Sequence, residues 1–598
     1  MRKRLFGLLT IAALAFGACQ GATTTQSPSS GTQSQAAPSS EASPSPSGVD
    51  LSATTYKPEA PGHTGGKVIT AEWQFIDTLN EYYAQAESDI EVGVSAFEDF
   101  VRTTNDLKYM PVLVKELPTV DNGQVVVNGD KMDVTWHLKD GMKWSDGSPI
   151  TCDDLIATWK WIMDKDNTGL AGGTTGWEDI TGIDGTGTTT CVEHFGKVYE
   201  GYLTLVAPLL PGKYIQSVAV KDAGTKLWPL GDPTKGVYSG AYIPTAIKTD
   251  AQVTLSANPQ WKTISGHDPY LDQLIWKYYG DADAMIQGYK AGEFDVANDL
   301  NDADIPKTTD IDQKQVVIHD SLTYELFAFQ NDHFKKFWPS DYQTVIKAIR
   351  MAVDRDAIAN GPLSGNVKPI NNFVSPLTWY YKDEGAAKPA DPTSAEALLT
   401  GAGFTKGSDG IYAKGGKSIA LDFCTTKRQV RIDTLTLVAS QLNKIGIKAN
   451  VLAKPAQPDV FGGWNDVAPD TKCNTIHGNY DVVEHAWVAP LDPLSSYNVY
   501  TCQGNPDPAP HNGQNETRIC LPDLDAAWNQ VKTNVDFNKV REAMFKVQDI
   551  YASDENTYEL PLYARKDVWL VNPKLHNFTG NPTTVAGEWN SWDWWIEG

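Results

Sequence analysis

Residues 133 to 161 read Asp-Val-Thr-Trp-His-Leu-Lys-Asp-Gly-Met-Lys-Trp-Ser-Asp-Gly-Ser-Pro-Ile-Thr-Cys-Asp-Asp-Leu-Ile-Ala-Thr-Trp-Lys-Trp. Up to Leu138 apolar and polar side chains alternate, the period of a half-buried strand. Lys139-Asp140-Gly141 and Trp144-Ser145-Asp146-Gly147 carry the residues of two tight turns. Pro149 leads to Thr151, which is placed to cap a helix with Asp153 and Asp154 in its first turn. Leu155, Ile156, Trp159, Ile162 and Met163 then recur at helical spacing. The stretch is predicted to be strand, turns and capped helix, a scaffold with little ligand chemistry of its own. Just upstream, Val125 to Val127 reads as a partner strand, with Asn128-Gly129-Asp130 as the hairpin turn.

Further out, strand-like and helix-like segments are mixed. Asp341 to Ile358 reads as one helix, with Val345, Ile349, Ala352 and Val353 on one face. Leu435 to Ile445 is an amphipathic helix that stops at Gly446, and Ile447 to Val451 begins a strand. That helix–glycine–strand order marks an α/β fold. Asp409-Gly410 and Gly415-Gly416-Lys417-Ser418 read as turns of a β-hairpin rather than a phosphate loop. No repeat of 20–50 residues is visible, which disfavours solenoids and propellers.

The chain has 598 residues, 50 Lys and Arg, 74 Asp and Glu, and a formal net charge of -24. That balance excludes a nucleic-acid binder, which needs a basic face, and a protein held by anionic lipid. Nineteen tryptophans are many for the length; core packing or stacking surfaces in a ligand cleft account for them.

Met1-Arg2-Lys3-Arg4 followed by an apolar run from Leu5 to Ala18 fits a secretory signal and is too short for a membrane span. Phe16-Gly17-Ala18-Cys19 resembles a bacterial lipobox, which makes Cys19 the lipidated first residue; the alternative is plain cleavage near Ala18. Residues 20 to 58 are rich in Ser, Thr, Pro, Gln and Ala and are expected to form a flexible tether. Losing the signal removes three positive charges and takes the net charge from -24 to -27. Six cysteines remain, Cys152, Cys191, Cys424, Cys473, Cys502 and Cys520. An even number in an exported chain reads as disulfides with many connectivities open. The local pairs Cys152–Cys191 and Cys502–Cys520 are favoured, which leaves Cys424–Cys473.

The search for catalytic chemistry returns nothing. There is no G-x-S-x-G, H-E-x-x-H or G-x-G-x-x-G at a strand–helix junction. No cofactor, no metal site and no catalytic residue is predicted. Carboxylate pairs such as Asp153/Asp154 and Asp281/Asp283 read as solvated faces. An exported glycoside hydrolase, with two carboxylates across a sugar bond, is the enzymatic alternative.

The 133–161 stretch closely resembles the signature of the family 5 extracellular solute-binding proteins, the oligopeptide- and dipeptide-binding components of ABC importers. Cys152 stands where that family usually has alanine. The resemblance runs from about Val68 to about Phe578. It takes in Leu79-Asn80-Glu81-Tyr82, Gly240-Ala241-Tyr242, the turn ending at Trp261, and Ala291-Gly292-Glu293-Phe294-Asp295. It continues through Val353-Asp354-Arg355, Asp409-Gly410-Ile411 and Ile445-Gly446-Ile447. It implies an α/β, periplasmic-binding-protein-like fold: two lobes around a ligand cleft plus an inserted domain. Lobe I would comprise 59–98, 238–322 and 568–598, the inserted domain II 99–237, and lobe II 323–567. It further implies a non-enzymatic, monomeric, lipid-anchored receptor on the outer face of the cytoplasmic membrane or in the periplasm. That receptor would hand a solute, most simply a peptide, to the permease subunits; an oligosaccharide or metal chelate is the alternative cargo.

The family's binding segment has a tryptophan followed three residues later by an aspartate that pairs with the peptide's α-ammonium. Here Trp487 fits, and the later position is Pro490, without charge. Asp492 matches the acid of the family's acid–Pro pair, usually a scaffold element. Either Asp492, Glu484 or another acid takes the clamp's role, or the cargo is not a free-amino peptide. Further cleft candidates are Tyr324, Phe327 and Asn331, the aromatic run Trp379-Tyr380-Tyr381, and Tyr83 beside Tyr82. His485 reads as a strand residue facing its own sheet.

Overall fold

The hairpin and capped helix of residues 125–162 form as the sequence dictates. In the computed structural model, which describes residues 49–598 except 85, 86, 466, 510, 512, 554–556 and 584–586, the chain opens with β1 (Lys67–Glu72) and α1 (Glu87–Ala96). β2 (Val125–Asn128) and β3 (Lys131–His137) then pair antiparallel, Asn128 opposite Lys131, around Gly129 at φ +68°. Only glycine adopts that left-handed turn without strain. Asp154 Oδ2 accepts the Thr151 N–H at 2.9 Å and Thr151 Oγ1 accepts the Asp153 N–H at 3.3 Å, which together cap α2 (Cys152–Ile162). Trp144 is fully buried, and the Gly147 N–H donates to its carbonyl.

β4 (Ile180–Asp184) and β5 (Thr190–Phe195) complete a four-stranded sheet in the order β2-β3-β5-β4. A disulfide from Cys152 to Cys191 staples α2 to β5. The remaining bridges are Cys424–Cys473 and Cys502–Cys520, so the pairing follows the local expectation.

The second, larger sheet uses β1 with β6 (Tyr242–Lys248), β7 (Gln252–Ala257), β8 (Gln273–Tyr278) and β9 (Val296–Asn301). The chain continues through β10 (Val316–Phe329), α3 (Tyr342–Ala352), β11 (Ala420–Thr426), α4 (Gln429–Lys444) and β12 (Lys448–Lys454). β13 (Val482–Val488) and β14 (Glu559–Val571) complete it. The ten strands run in the order β12-β11-β13-β10-β14-β9-β1-β8-β7-β6. β1 is parallel to β8 and β9, and β11 is parallel to β12 and β13. Between these two parallel sets lie β10 and β14, antiparallel to each other, each reaching from one set toward the other. Their pairing is interrupted between Asp320 and Tyr324. Apolar cores cover both faces: Leu326 and Val483 pack on one side, Phe327, Phe423 and Val482 on the other.

Most of the tryptophans are core. Trp136, Trp144, Trp228, Trp261, Trp276, Trp528, Trp589 and Trp594 are among the largest fully buried side chains.

Two expectations change. The helix expected over 341–358 is broken: α3 ends at Ala352 and a second helix runs Arg355–Asn360. Asp354 causes the break, because its Oδ1 accepts the Ala357 N–H at 2.9 Å and caps the new helix. An aspartate offers the backbone that alternative wherever it sits. The tether also ends sooner. Leu51 is buried in the core, and Tyr56 donates to Asp593 at 2.9 Å and packs edge-on to Trp589. Polar composition hid these two anchors. The leader, Cys19 and the rest of the tether to residue 48 lie outside the described residues.

Replacing Cys152 and Cys191 by alanine together is expected to lower stability by about 2–4 kcal/mol, because the bridge closes a loop of 39 residues. Guanidinium unfolding measures it; an unchanged midpoint contradicts the role given to this bridge.

Candidate functional site

Open α/β sheets place ligands beyond the carboxyl ends of their parallel strands. Here β1 ends at Glu72, β9 at Asn301, β11 at Thr426 and β13 at Val488. The seam between the two parallel sets is crossed by β10 and β14.

Trp487 lies at the end of β13 opposite Tyr324 of β10. It is half-buried, its Nε1 has no hydrogen-bond partner, and its ring meets His485 edge-on at 5.4 Å. His485 is buried and bound through Nε2 to Glu516. Burial alone would lower its pKa; the Glu516 carboxylate outweighs that and raises it.

The other predicted residues are distributed differently. Tyr324 is buried, and its hydroxyl is taken up by Tyr500 and by Glu559 at 2.9 Å. Phe327 is fully buried on the opposite face. Asn331 is also fully buried, its amide donating to the carbonyls of Phe329 and Thr557, each at 3.1 Å. Trp379 donates through Nε1 to the Leu491 carbonyl at 2.9 Å, and Tyr380 donates to the Pro490 carbonyl. Asp492 accepts from Thr204 Oγ1 at 2.6 Å and from the Leu494 N–H at 2.8 Å, capping the turn that follows. That is the scaffold role of the acid–Pro pair. Tyr83 donates to Asn167 at 2.6 Å and packs edge-on to Trp161, away from β13.

Glu484 is fully buried, and neither carboxylate oxygen has a hydrogen-bond partner. Burial, then the neighbouring Glu325, push its pKa well above the usual range, which favours the neutral carboxyl. Glu325 behaves in the opposite way. Arg431 of α4 reaches it through Nε at 3.1 Å and Nη2 at 3.0 Å, and Arg565 of β14 through Nε at 2.9 Å. Burial alone would raise its pKa, but the two guanidinium groups hold it far below the carboxylate range.

Sequence reasoning missed Glu325, Arg431, Arg565 and Arg428. It also missed Trp73 at the end of β1, 41% exposed, whose Nε1 donates to Asp299. One signal was available: Arg428 lies between a parallel strand and its helix, where such sheets gather ligand contacts.

A ten-stranded, partly parallel sheet with a crossed seam and a separate inserted sheet defines a solute-binding protein. The model of the bacterial extracellular solute-binding proteins, family 5 Middle, matches residues 108–507, more than half of the chain, and the chain belongs to that family. It is similar to the oligopeptide-binding protein AppA of Bacillus subtilis, 25% identical over 395 residues covering 64% of this chain and 68% of the relative. A probable ABC transporter-binding protein of Deinococcus radiodurans is 26% identical over 509 residues, covering 76% of this chain and 79% of its own length. Among solved structures, AppA from Bacillus subtilis in complex with a nonapeptide superposes with TM-score 0.73 at 19% identity, covering 90% of this chain and 100% of that one. NikZ from Campylobacter jejuni in complex with Ni(L-His) gives TM-score 0.73 at 20% identity, covering 88% and 99%. The fold is therefore α/β, periplasmic-binding-protein-like, with two lobes and an extra domain.

Glu325→Gln is expected to cost about 3–5 kcal/mol, since it leaves two buried guanidinium groups without their acid. Glu484→Gln is expected to change stability little near pH 7. The wild-type advantage over Glu325→Gln is present above the ordinary glutamate pKa, about 4.3, and fades only below it as Glu325 takes up a proton. Chemical denaturation from pH 8 to 3 reads this; an advantage that grows as pH falls contradicts it.

Proposed function

We propose that this chain is the substrate receptor of an ABC importer and that a peptide is its cargo. Lobe I (59–98, 238–322 and 568–598) and lobe II (323–567) close on the solute, domain II (99–237) stays attached as a scaffold, and the loaded receptor docks on the permease subunits. Cys19 carries the lipid that holds the receptor, as a monomer, at the outer face of the cytoplasmic membrane. The protein does no covalent chemistry. Support comes from the family itself, from relatives named as oligopeptide-binding proteins, and from the similar fold of a protein bound to a nonapeptide. The observation that carries the reading within this chain is Trp487: a half-buried indole at the end of a parallel strand, its N–H buried without a hydrogen-bond partner.

Non-peptide cargo is the second reading. It is favoured by Pro490 in place of the clamp aspartate, and by the similar folds of NikZ with Ni(L-His) and of a periplasmic EDTA-binding protein. An oligosaccharide or a metal chelate needs no α-ammonium partner. Exported glycoside hydrolysis is the least supported reading.

Native mass spectrometry of the protein purified from its own host weighs the bound species. A ladder of peptide masses is expected; a single sugar or metal-complex mass selects the second reading, and steady product release removes the receptor reading. Trp487→Ala is expected to weaken rebinding of the identified species by about tenfold or more, the loss of one well-packed aromatic contact. Circular dichroism should be unchanged, and unaltered affinity places Trp487 outside the cleft.

A further inference from the structure

The parallel set built on β1, β8 and β9 carries acids that form no ion pair among the described residues. Glu72 ends β1; Glu87 and Glu91 lie one turn apart on α1; Asp299 sits in β9 at φ +45°, where the β9–β14 register shifts. They come from three separate segments and act on one another electrostatically. The cations felt by Glu87 and Asp299 come from across the seam, Arg428 and Arg565, and Arg565 is already held by Glu325.

Two observations set this group apart from a solvated acidic surface. Glu72 and Glu91 are 1% and 2% exposed, and in each Oε2 has no hydrogen-bond partner. Buried polar atoms are nearly always bonded, so these oxygens are acceptors without a donor. Beside them Trp73 is 41% exposed, its Nε1 donating to Asp299. An accessible indole face next to carboxylates suits a cation.

The spacing narrows the kind of cation. Among the described residues, the one group of His, Cys, Asp and Glu tight enough for a single metal ion is Cys502, Cys520 and Asp525, and those cysteines form a disulfide. Glu72, Glu87, Glu91 and Asp299 are spread wider, which fits a polyatomic cation making several hydrogen bonds.

Resting on the receptor reading above, we propose that Glu72, Glu87, Glu91 and Asp299, with Trp73, receive an alkylammonium or guanidinium group of the cargo. The wall on lobe I thus supplies the negative charge that Pro490 removes from lobe II. Burial pushes the Glu72 and Glu91 carboxyls above the ordinary range, with neighbouring acids adding to it, while Glu87 stands exposed at the edge of the group. These buried carboxyls therefore hold their protons more firmly than exposed acids do, and an arriving cation favours their release.

Calorimetric titration at pH 7 of the full chain, stripped of ligand, tests this with four probes: trilysine, trialanine, triglutamate and spermidine. Two buffers of different ionisation enthalpy report proton release. Trilysine is expected to bind about tenfold or more tighter than trialanine and to release protons. In Glu87→Gln and Glu91→Gln, each checked by circular dichroism, both the preference and the release should shrink. Trialanine or triglutamate binding as tightly as trilysine overturns the cation wall and leaves the peptide receptor standing. Spermidine binding with no peptide binding supports the wall and removes peptide as cargo. A preference unchanged in both variants, or no binding by any probe, overturns the proposal.

Discussion

The buried contact of Glu325 with Arg431 and Arg565 is the constraint on which the seam of the large sheet depends. It joins β10, β14 and α4, so both crossing strands and the first turn of α4 meet at one carboxylate. Three charges removed from water are stable together only if every one keeps its partners, which fixes how the two strands meet at this irregular point. Tyr324, the preceding residue, then stands opposite Trp487 at the end of β13. Arg565 falls in the stretch where the β10–β14 pairing is irregular, so the ion pairs replace ladder hydrogen bonds that the seam lacks.

The neighbourhood of Pro490 has a similar logic. Proline cannot donate a backbone hydrogen bond and carries no charge. Its carbonyl and that of Leu491 accept from Tyr380 and Trp379, and Asp492 is committed to Thr204 and Leu494. Three of the residues singled out from sequence are thus engaged in holding this segment. Glu484, in the strand before it, is buried with neither carboxylate oxygen bonded, and Glu72 and Glu91 are buried with Oε2 unbonded.

How much of this was legible in the sequence depends on the range of the interaction. Gly129 in its hairpin, Thr151 with Asp154 at its cap, and Gly446 between helix and strand are local, and all were readable. The disulfides followed from proximity in the chain. Asp354 was visible in the sequence, but the apolar periodicity around it spoke louder and fused two helices into one. Trp487 was singled out through resemblance. Glu325, Arg431 and Arg565 are separated by more than a hundred residues along the chain, and in a protein with 74 acids no pattern marks the one that is buried between arginines. Glu72 and Glu91 escaped for the same reason: an unpaired carboxylate is a property of its surroundings, which the sequence does not spell out.

The interruption of β10–β14 pairing between Asp320 and Tyr324 has a mechanical consequence. A single connecting strand would let the lobes swivel freely, and three would resist any movement. Two strands side by side, paired above and below a short irregularity, bend more easily about one axis than they twist. Under the proposed closure on a solute, these two strands are the hinge, and their shared pairing would bring the same faces together each time.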